Sequence, residues 1–206
     1  TYYAITKSSA AYTATFNKNG ATSIGSSSLS CYRYNGASSC NITTPSITRS
    51  GYTITGWGTS ASATTAAVKV STSVSLTANV TYYAITSKVV TVSFSKGANV
   101  SAIGASSGTC TIQNSATSCA VATPSITANS GYTSVGWSTT NGASSGIAAG
   151  SNITGLTANA TYYANALDKT APTIKLLSNG DTAYTQVKNV NVSVLDDGSG
   201  LASDIC

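Results

Sequence analysis

Hydrophobic positions in this chain come in short bursts, separated by stretches of Ser, Thr, Ala and Gly, and the bursts recur in the same order. Tyr12-Thr-Ala-Thr-Phe16 and Val89-Val-Thr-Val-Ser-Phe94 are β-branched and aromatic runs of strand character. Gly51-Tyr52-Thr53-Ile54-Thr55-Gly56-Trp57 returns 80 residues later as Gly131-Tyr132-Thr133-Ser134-Val135-Gly136-Trp137. Each Trp is followed by one further phrase, Leu76-Thr-Ala-Asn-Val-Thr-Tyr-Tyr-Ala84 or Leu156-Thr-Ala-Asn-Ala-Thr-Tyr-Tyr-Ala164. A fixed period with its aromatics in step marks a tandem array of one structural unit. Long helical periodicity is absent, so the expected class is mainly β.

The period divides the chain. Residues 7–86 form a first repeat and 87–167 a second. Residues 1–6 read Thr1-Tyr2-Tyr3-Ala4-Ile5-Thr6, a copy of 81–86 that looks like the last strand of a preceding repeat. The lack of any Met is taken as a sign of a piece of a longer or processed protein. From Asp168 the character changes. Acidic residues appear, and Thr173–Leu177 and Val187–Leu195 read as strands, with Val190, Val192 and Val194 alternating as on a half-buried one. A new domain is expected over 168–206.

Within a repeat, Thr44-Pro-Ser-Ile-Thr48 and Thr123-Pro-Ser-Ile-Thr127 carry a Pro that favours an edge, turn or first position. The Gly inside Gly-Tyr…Gly-Trp marks a bulge or a close backbone approach. Alternation places Tyr52 and Ile54 on one face, while in the second copy Ser134 and Val135 leave the facing open. Trp57 and Trp137, with Tyr52 and Tyr132, are the expected core anchors, one large aromatic dominating the burial of each small unit. The functional alternative for the Trp residues is ligand stacking. Residues 58–75 and 138–155 are rich in Ser, Thr, Ala and Gly, a composition also found in disordered mucin-like segments. Phase-locked aromatics and paired cysteines count against disorder.

Cys31 and Cys40 enclose eight residues with Asn35-Gly36 at the centre, the strongest short hairpin signal because a type I′ turn needs φ > 0 at both positions. Folding there sets Tyr34 opposite Ala37, Arg33 opposite Ser38, Tyr32 opposite Ser39 and Cys31 opposite Cys40, in a non-hydrogen-bonded pair suited to a disulfide. Cys110 and Cys119 repeat the spacing around the weaker turn Asn114-Ser115. Two such disulfides imply an oxidising, extracellular compartment. A four-Cys metal site lacks the close C-x-x-C spacing. Cys206 is left over, its partner expected beyond the chain given.

Charge narrows the function. Residues 1–167 carry Lys7, Lys18, Lys69, Lys88, Lys96, Arg33 and Arg49 but no Asp, Glu or His. General acid–base catalysis draws mostly on those three types, a Ser or Cys nucleophile lacks its usual base, and carboxylate or imidazole metal ligands are missing. No catalysis and no cofactor are expected in the repeats. A Lys–Asn isopeptide link is rejected there for want of a carboxylate. The cations are scattered singly, with no nucleic-acid module, though weak attraction to anionic surface polymers is compatible with them. No apolar run reaches the length of a membrane span. Asp196-Asp197-Gly198-Ser199-Gly200 admits calcium or a plain Asp/Gly turn. Six Asn-x-Ser/Thr triplets, at Asn41, Asn79, Asn99, Asn152, Asn159 and Asn191, are expected by chance in so Ser/Thr-rich a chain.

The order of these motifs (Tyr-Thr-x-Thr-Phe, a Pro-containing link, Gly-Tyr-Thr-x-x-Gly-Trp, Leu-Thr-Ala-Asn-x-Thr-Tyr-Tyr-Ala) resembles the Listeria–Bacteroides repeat, the internalin-type B-repeat of bacterial surface proteins, over residues 7–167. The resemblance implies small β-grasp-like modules strung in secreted or wall-attached proteins as stalks, adhesive modules or both. Two departures are the missing carboxylates and the hairpin disulfide. From Asp168, Asp-Lys-Thr-Ala-Pro-Thr and Val-Leu-Asp-Asp-Gly-Ser-Gly resemble the opening of a bacterial immunoglobulin-like sandwich. The expected function is a non-enzymatic extracellular stalk or adhesive array. Expected partners are a host glycan or protein met through Tyr32 and Tyr34, or copies of the protein itself in a surface filament. An accessory region of a secreted cell-wall enzyme is the further alternative.

Overall fold

The computed structural model describes residues 1–8, 10–178 and 191–196. They are mainly strand and contain no helix. In chain order the first strands are β1 (Tyr12–Asn17), β2 (Ser23–Ile24), β3 (Ser28–Cys31), β4 (Cys40–Thr43), β5 (Ile47–Thr48), β6 (Thr53–Gly58), β7 (Ser73–Leu76) and β8 (Val80–Lys96). There follow β9 (Val100–Ile103), β10 (Ser107–Gln113), β11 (Cys119–Ala122), β12 (Ile126–Ala128), β13 (Tyr132–Ser138), β14 (Asn152–Leu156), β15 (Ala160–Asp168), β16 (Thr173–Ser178) and β17 (Asn191–Leu195). The chain forms two compact units: unit 1 holds Thr1–Val90, Thr109–Ala120 and Thr154–Ala158, and unit 2 holds Thr91–Gly108, Val121–Ile153 and Asn159–Cys206.

In unit 1 the sheet is mixed. β1 pairs antiparallel with β3 and parallel with β8, from Ala14↔Val80 to Asn17↔Tyr83. On its other side β8 takes β6 antiparallel, from Thr53↔Ser87 to Gly58↔Tyr83. Alternation along β1 sends Ala14 and Phe16 inward, where both are buried, and leaves Thr13 and Thr15 more open. β4 pairs with β7, and β2 with β5. The parallel pairing has a side-chain fastener. Asn79, from the Leu-Thr-Ala-Asn phrase, accepts the Thr13 N–H at 2.9 Å through Oδ1. Asn159 does the same for Thr91 at 2.9 Å in unit 2.

Unit 2 repeats the pairing plan. β15 runs parallel to the second half of β8, from Ala160↔Val92 to Ala164↔Lys96, and antiparallel to β13. β9 pairs with β12. β16 and β17 form an antiparallel pair, with Ile174, Leu176, Leu177, Val192 and Leu195 exposed. The half-buried alternation expected at 190, 192 and 194 is therefore not kept at Val192, although Val194 is half-buried. Val190 lies outside the described residues.

The Tyr-Tyr-Ala phrase and the run Val89–Phe94, read separately in the sequence, are one 17-residue strand. No Gly, Pro or Asn interrupts 81–96, and buried Tyr82, Ala84, Val90, Val92 and Phe94 keep a single alternation phase. Residues 86 and 87 thus fall inside one strand.

Candidate functional site

Each repeat is built inward from its Trp. Both Trp57 and Trp137 are 0% exposed. Phe16 meets Trp57 edge to face with centroids 4.8 Å apart, and Phe94 meets Trp137 at 4.7 Å. The indole N–H donates to the carbonyl of the Pro in the Thr-Pro-Ser motif, Trp57 to Pro45 and Trp137 to Pro124, at 3.0 Å in each case. A buried Trp N–H needs such a partner. The Thr before that Pro is buried too. Thr44 Oγ1 donates to the Lys69 carbonyl at 2.7 Å, and Thr123 Oγ1 to the Ala148 carbonyl at 2.9 Å, pinning the Ser/Thr/Ala segment that follows the Trp.

The interior Gly serves both expected purposes. The β6–β8 register slips between Ile54 and Gly56, and the β13–β15 register between Ser134 and Gly136. Gly56 has φ 137°, and a Cβ there would strike the Val68 carbonyl. Gly136, at φ 107°, faces the Ile147 carbonyl in the same way. The bulge makes Thr55 and Val135 the extra residues, which settles the facing in the second copy: Ser134 stands where Ile54 does.

Tyr52 and Tyr132 are half-buried, unlike the two Trp residues. The Tyr52 ring instead carries the Arg49 guanidinium at 3.6 Å. With their edges bonded and packed, the Trp residues have no open face for a ligand. A cleft of about 360 Å³ opens beside Trp137, and its accessible wall comes from neighbours such as Thr139, Ser145, Gly146 and Tyr162 rather than from the fully buried indole.

Both cysteine pairs are disulfides, Cys31–Cys40 and Cys110–Cys119, with Cα atoms 5.8 and 5.9 Å apart. At the first tip, Asn35 (φ 54°) and Gly36 (φ 74°) make the type I′ geometry, closed by Ala37 N–H to Tyr34 O at 3.0 Å. The arms do not form the expected ladder. β3 pairs with β1, and β4 pairs with β7; Tyr34 bridges Lys7. The disulfide thus joins two strands that belong to different pairings, and Tyr34–Ala37 is the one predicted cross-hairpin pair that hydrogen-bonds.

Tyr32 and Tyr34 are both exposed at this tip, and Lys7 Nζ sits 3.4 Å from the Tyr32 ring centroid. Arg33 lies over Tyr12 at 4.8 Å, and its buried Nε has no hydrogen-bond partner. In repeats devoid of carboxylates, cations use aromatic faces and carbonyls. Among the described residues no cluster of His, Cys, Asp or Glu suits a metal ion, and no helix is long and apolar enough to cross a membrane. The Asp196–Gly200 segment, beyond Asp196, and Cys206 lie outside the described residues.

Asn114, which opens the weaker of the two hairpin turns, is the best-connected polar residue described in unit 1. Asn114 (φ 51°) is 4% exposed. Its N–H donates to Thr86 O at 2.8 Å, and its Oδ1 accepts the Thr86 N–H at 3.2 Å. Its Nδ2 donates to the carbonyls of Ala61 and Ala63 at 3.0 and 2.8 Å. Arg49 Nη1 donates to the Asn114 carbonyl and to Thr86 Oγ1. The available signal was that Asn stands first in the turn of both hairpins, whatever follows it.

These features define a mainly β protein of disulfide-stapled, Trp-anchored tandem repeats. Residues 12–85, a stretch within the first repeat and well under half of the chain, match the Listeria-Bacteroides repeat domain. That family occurs in bacterial surface and secreted proteins, and the disulfides are compatible with an extracellular location. No curated protein and no solved structure matches the chain. The comparisons lend no support to an immunoglobulin-like domain after Asp168.

Proposed function

We propose that this chain is a non-enzymatic, extracellular repeat segment of a bacterial surface protein, working as a stalk that also presents adhesive surface. The observation that carries the reading is the duplicated unit itself: the same Trp–Pro bond, the same Gly bulge and the same disulfide spacing occur twice, and one copy matches a repeat of surface proteins. The parallel β1–β8 pairing flanked by β3 and β6 supports a β-grasp-like module. The β16–β17 pair is read as the opening of a further β domain, immunoglobulin-like by its motifs. The absence of His, Asp and Glu from residues 1–167 supports a role without catalysis.

The adhesive part of the reading rests on Tyr32 and Tyr34, exposed beside Lys7 on a disulfide-closed tip. Aromatic rings backed by cations suit a glycan or an acidic protein surface. The test is binding of the whole chain, oxidised and reduced, to a glycan panel and to epithelial cells. Saturable binding that Tyr32→Ala or Tyr34→Ala abolishes supports adhesion. No binding in either state removes the adhesive role and leaves the spacer.

A further inference from the structure

The two hairpin tips make the same contact with the same hexapeptide. Residues 1–6 and 81–86 are identical, Thr-Tyr-Tyr-Ala-Ile-Thr. Asn35 N–H donates to Thr6 O at 2.9 Å, and Asn35 Oδ1 accepts the Thr6 N–H at 3.1 Å. Asn114 and Thr86 exchange the corresponding pair at 2.8 and 3.2 Å. The surroundings differ. At 81–86 the hexapeptide is the central part of a sheet, with Tyr82 at 6% and Ile85 at 0% exposure, whereas Tyr2 and Ile5 are 104% and 78% exposed. Asn114 Nδ2 reaches two loop carbonyls, Ala61 and Ala63. Among the described residues Asn35 Nδ2 has no partner.

We propose that the Asn35 tip and the Thr1–Thr6 segment together form a docking surface for another repeat of the same kind, one in which Thr1–Thr6 is the final strand. Within unit 1 the complete form of this joint is already built: a β6-like strand pairs with the hexapeptide, and the loop after the Trp offers two carbonyls to the hairpin Asn. A second Asn, Asn19, holds the same loop from within the repeat, through Nδ2 to Ala61 O at 2.9 Å. Gly20 completes the fit, since a Cβ there would lie 2.6 Å from Asn114 O. The occupant is therefore specified by chemistry: it must supply a strand for the open edge of Thr1–Thr6, an apolar bed for Tyr2 and Ile5, and two loop carbonyls able to accept from Asn35 Nδ2, as Ala61 and Ala63 accept from Asn114. A repeat such as 7–80 has all three. The same reasoning gives each disulfide a second duty, because the bond holds the plug in the shape its socket requires. This inference rests on the tandem-array reading, but its test measures docking and not adhesion, so the two fail separately.

The identity of the hexapeptides allows a direct experiment. Residues 1–80 are fused ahead of the whole chain, so that the added Val80 runs into Thr1 and the period is continued. Amide exchange by mass spectrometry and NMR then follows Thr6 and Asn35 of the original chain. The expected result is slowing of these amides by roughly tenfold or more relative to the unfused chain, and return to the unfused rates on Asn35→Ala. Asn114→Ala in the unfused chain serves as the reference, with faster exchange expected at Thr86. Unchanged exchange at Thr6 and Asn35 in the fusion, whether the added copy is folded or not, overturns the proposal. So does concentration-dependent dimerisation of the unfused chain that Asn35→Ala abolishes, because the face would then belong to a second molecule.

Discussion

Trp57 Nε1 donates to the Pro45 carbonyl at 3.0 Å in a fully buried setting. This single bond links the two most recognisable motifs of the repeat, Gly-Tyr…Gly-Trp and Thr-Pro-Ser-Ile-Thr. Pro contributes no N–H, so its carbonyl is the one backbone group it can offer, and the buried indole N–H takes it. Trp57→Phe keeps an aromatic ring but orphans that carbonyl. The expected loss is about 1–3 kcal/mol, against about 3–5 kcal/mol for Trp57→Ala, which also empties the site beside Phe16. Urea titration followed by circular dichroism separates the two.

The two disulfides close loops of equal length, with sequence separation 9 in each. Loop-closure entropy predicts a loss of about 2.5–3 kcal/mol for Cys31→Ser/Cys40→Ser and for Cys110→Ser/Cys119→Ser. Equal losses by denaturant titration fit a purely entropic role. A larger loss for the second pair shows that its tip, holding Asn114 in place, contributes through the folded state as well.

Much of this was readable from the chain. Strand positions followed from β-branched and aromatic runs, and both Cys pairs from an Asn-led turn centred between them. Less local facts were not. The fate of the hairpin arms depended on β1 and β7 offering better partners to β3 and β4, which no hairpin pattern records. Alternation puts Tyr52 on the face of Ile54, but Tyr52 stands just before β6, where Arg49 takes its ring. Asn114-Ser115 reads only as a weaker turn than Asn-Gly, because what Asn114 adds comes from carbonyls more than 50 positions away.

Gly36 and Gly56 separate two reasons for a glycine. Gly36 has φ 74° with nothing within 4 Å of a built Cβ, so Gly36→Ala should cost only the left-handed strain, about 1–2 kcal/mol. Gly56→Ala adds a collision with the Val68 carbonyl and with Ala66, and a loss beyond about 3 kcal/mol is expected. Thermal denaturation of the pair tests the order. Equal losses would mean that the β6 bulge can open to admit a side chain.

Unit 1 contains no Asp, Glu or His. Folded and unfolded states therefore bind the same number of protons through the acidic range, and the slope of stability with pH is zero there. The urea midpoint of unit 1, read by Trp57 fluorescence in a Trp137→Phe background, should stay level between about pH 4.5 and 7. A midpoint that moves with pH would show that the carboxylates from Asp168 onward take part in folding unit 1.

Parallel pairing of β1 with β8, and of β8 with β15, has a mechanical consequence. When such a chain is pulled by its ends, the tension enters one strand of each parallel pair and leaves by the far end of the other. The ladder bonds from Ala14↔Val80 to Asn17↔Tyr83 are then loaded together in shear rather than peeled one after another, and so are those from Ala160↔Val92 to Ala164↔Lys96. Single-molecule pulling should show abrupt, high-force rupture events with long intervening extensions, and a gradual low-force lengthening would contradict it. Because β8 serves both pairs, it is the element through which such a tether would carry its load.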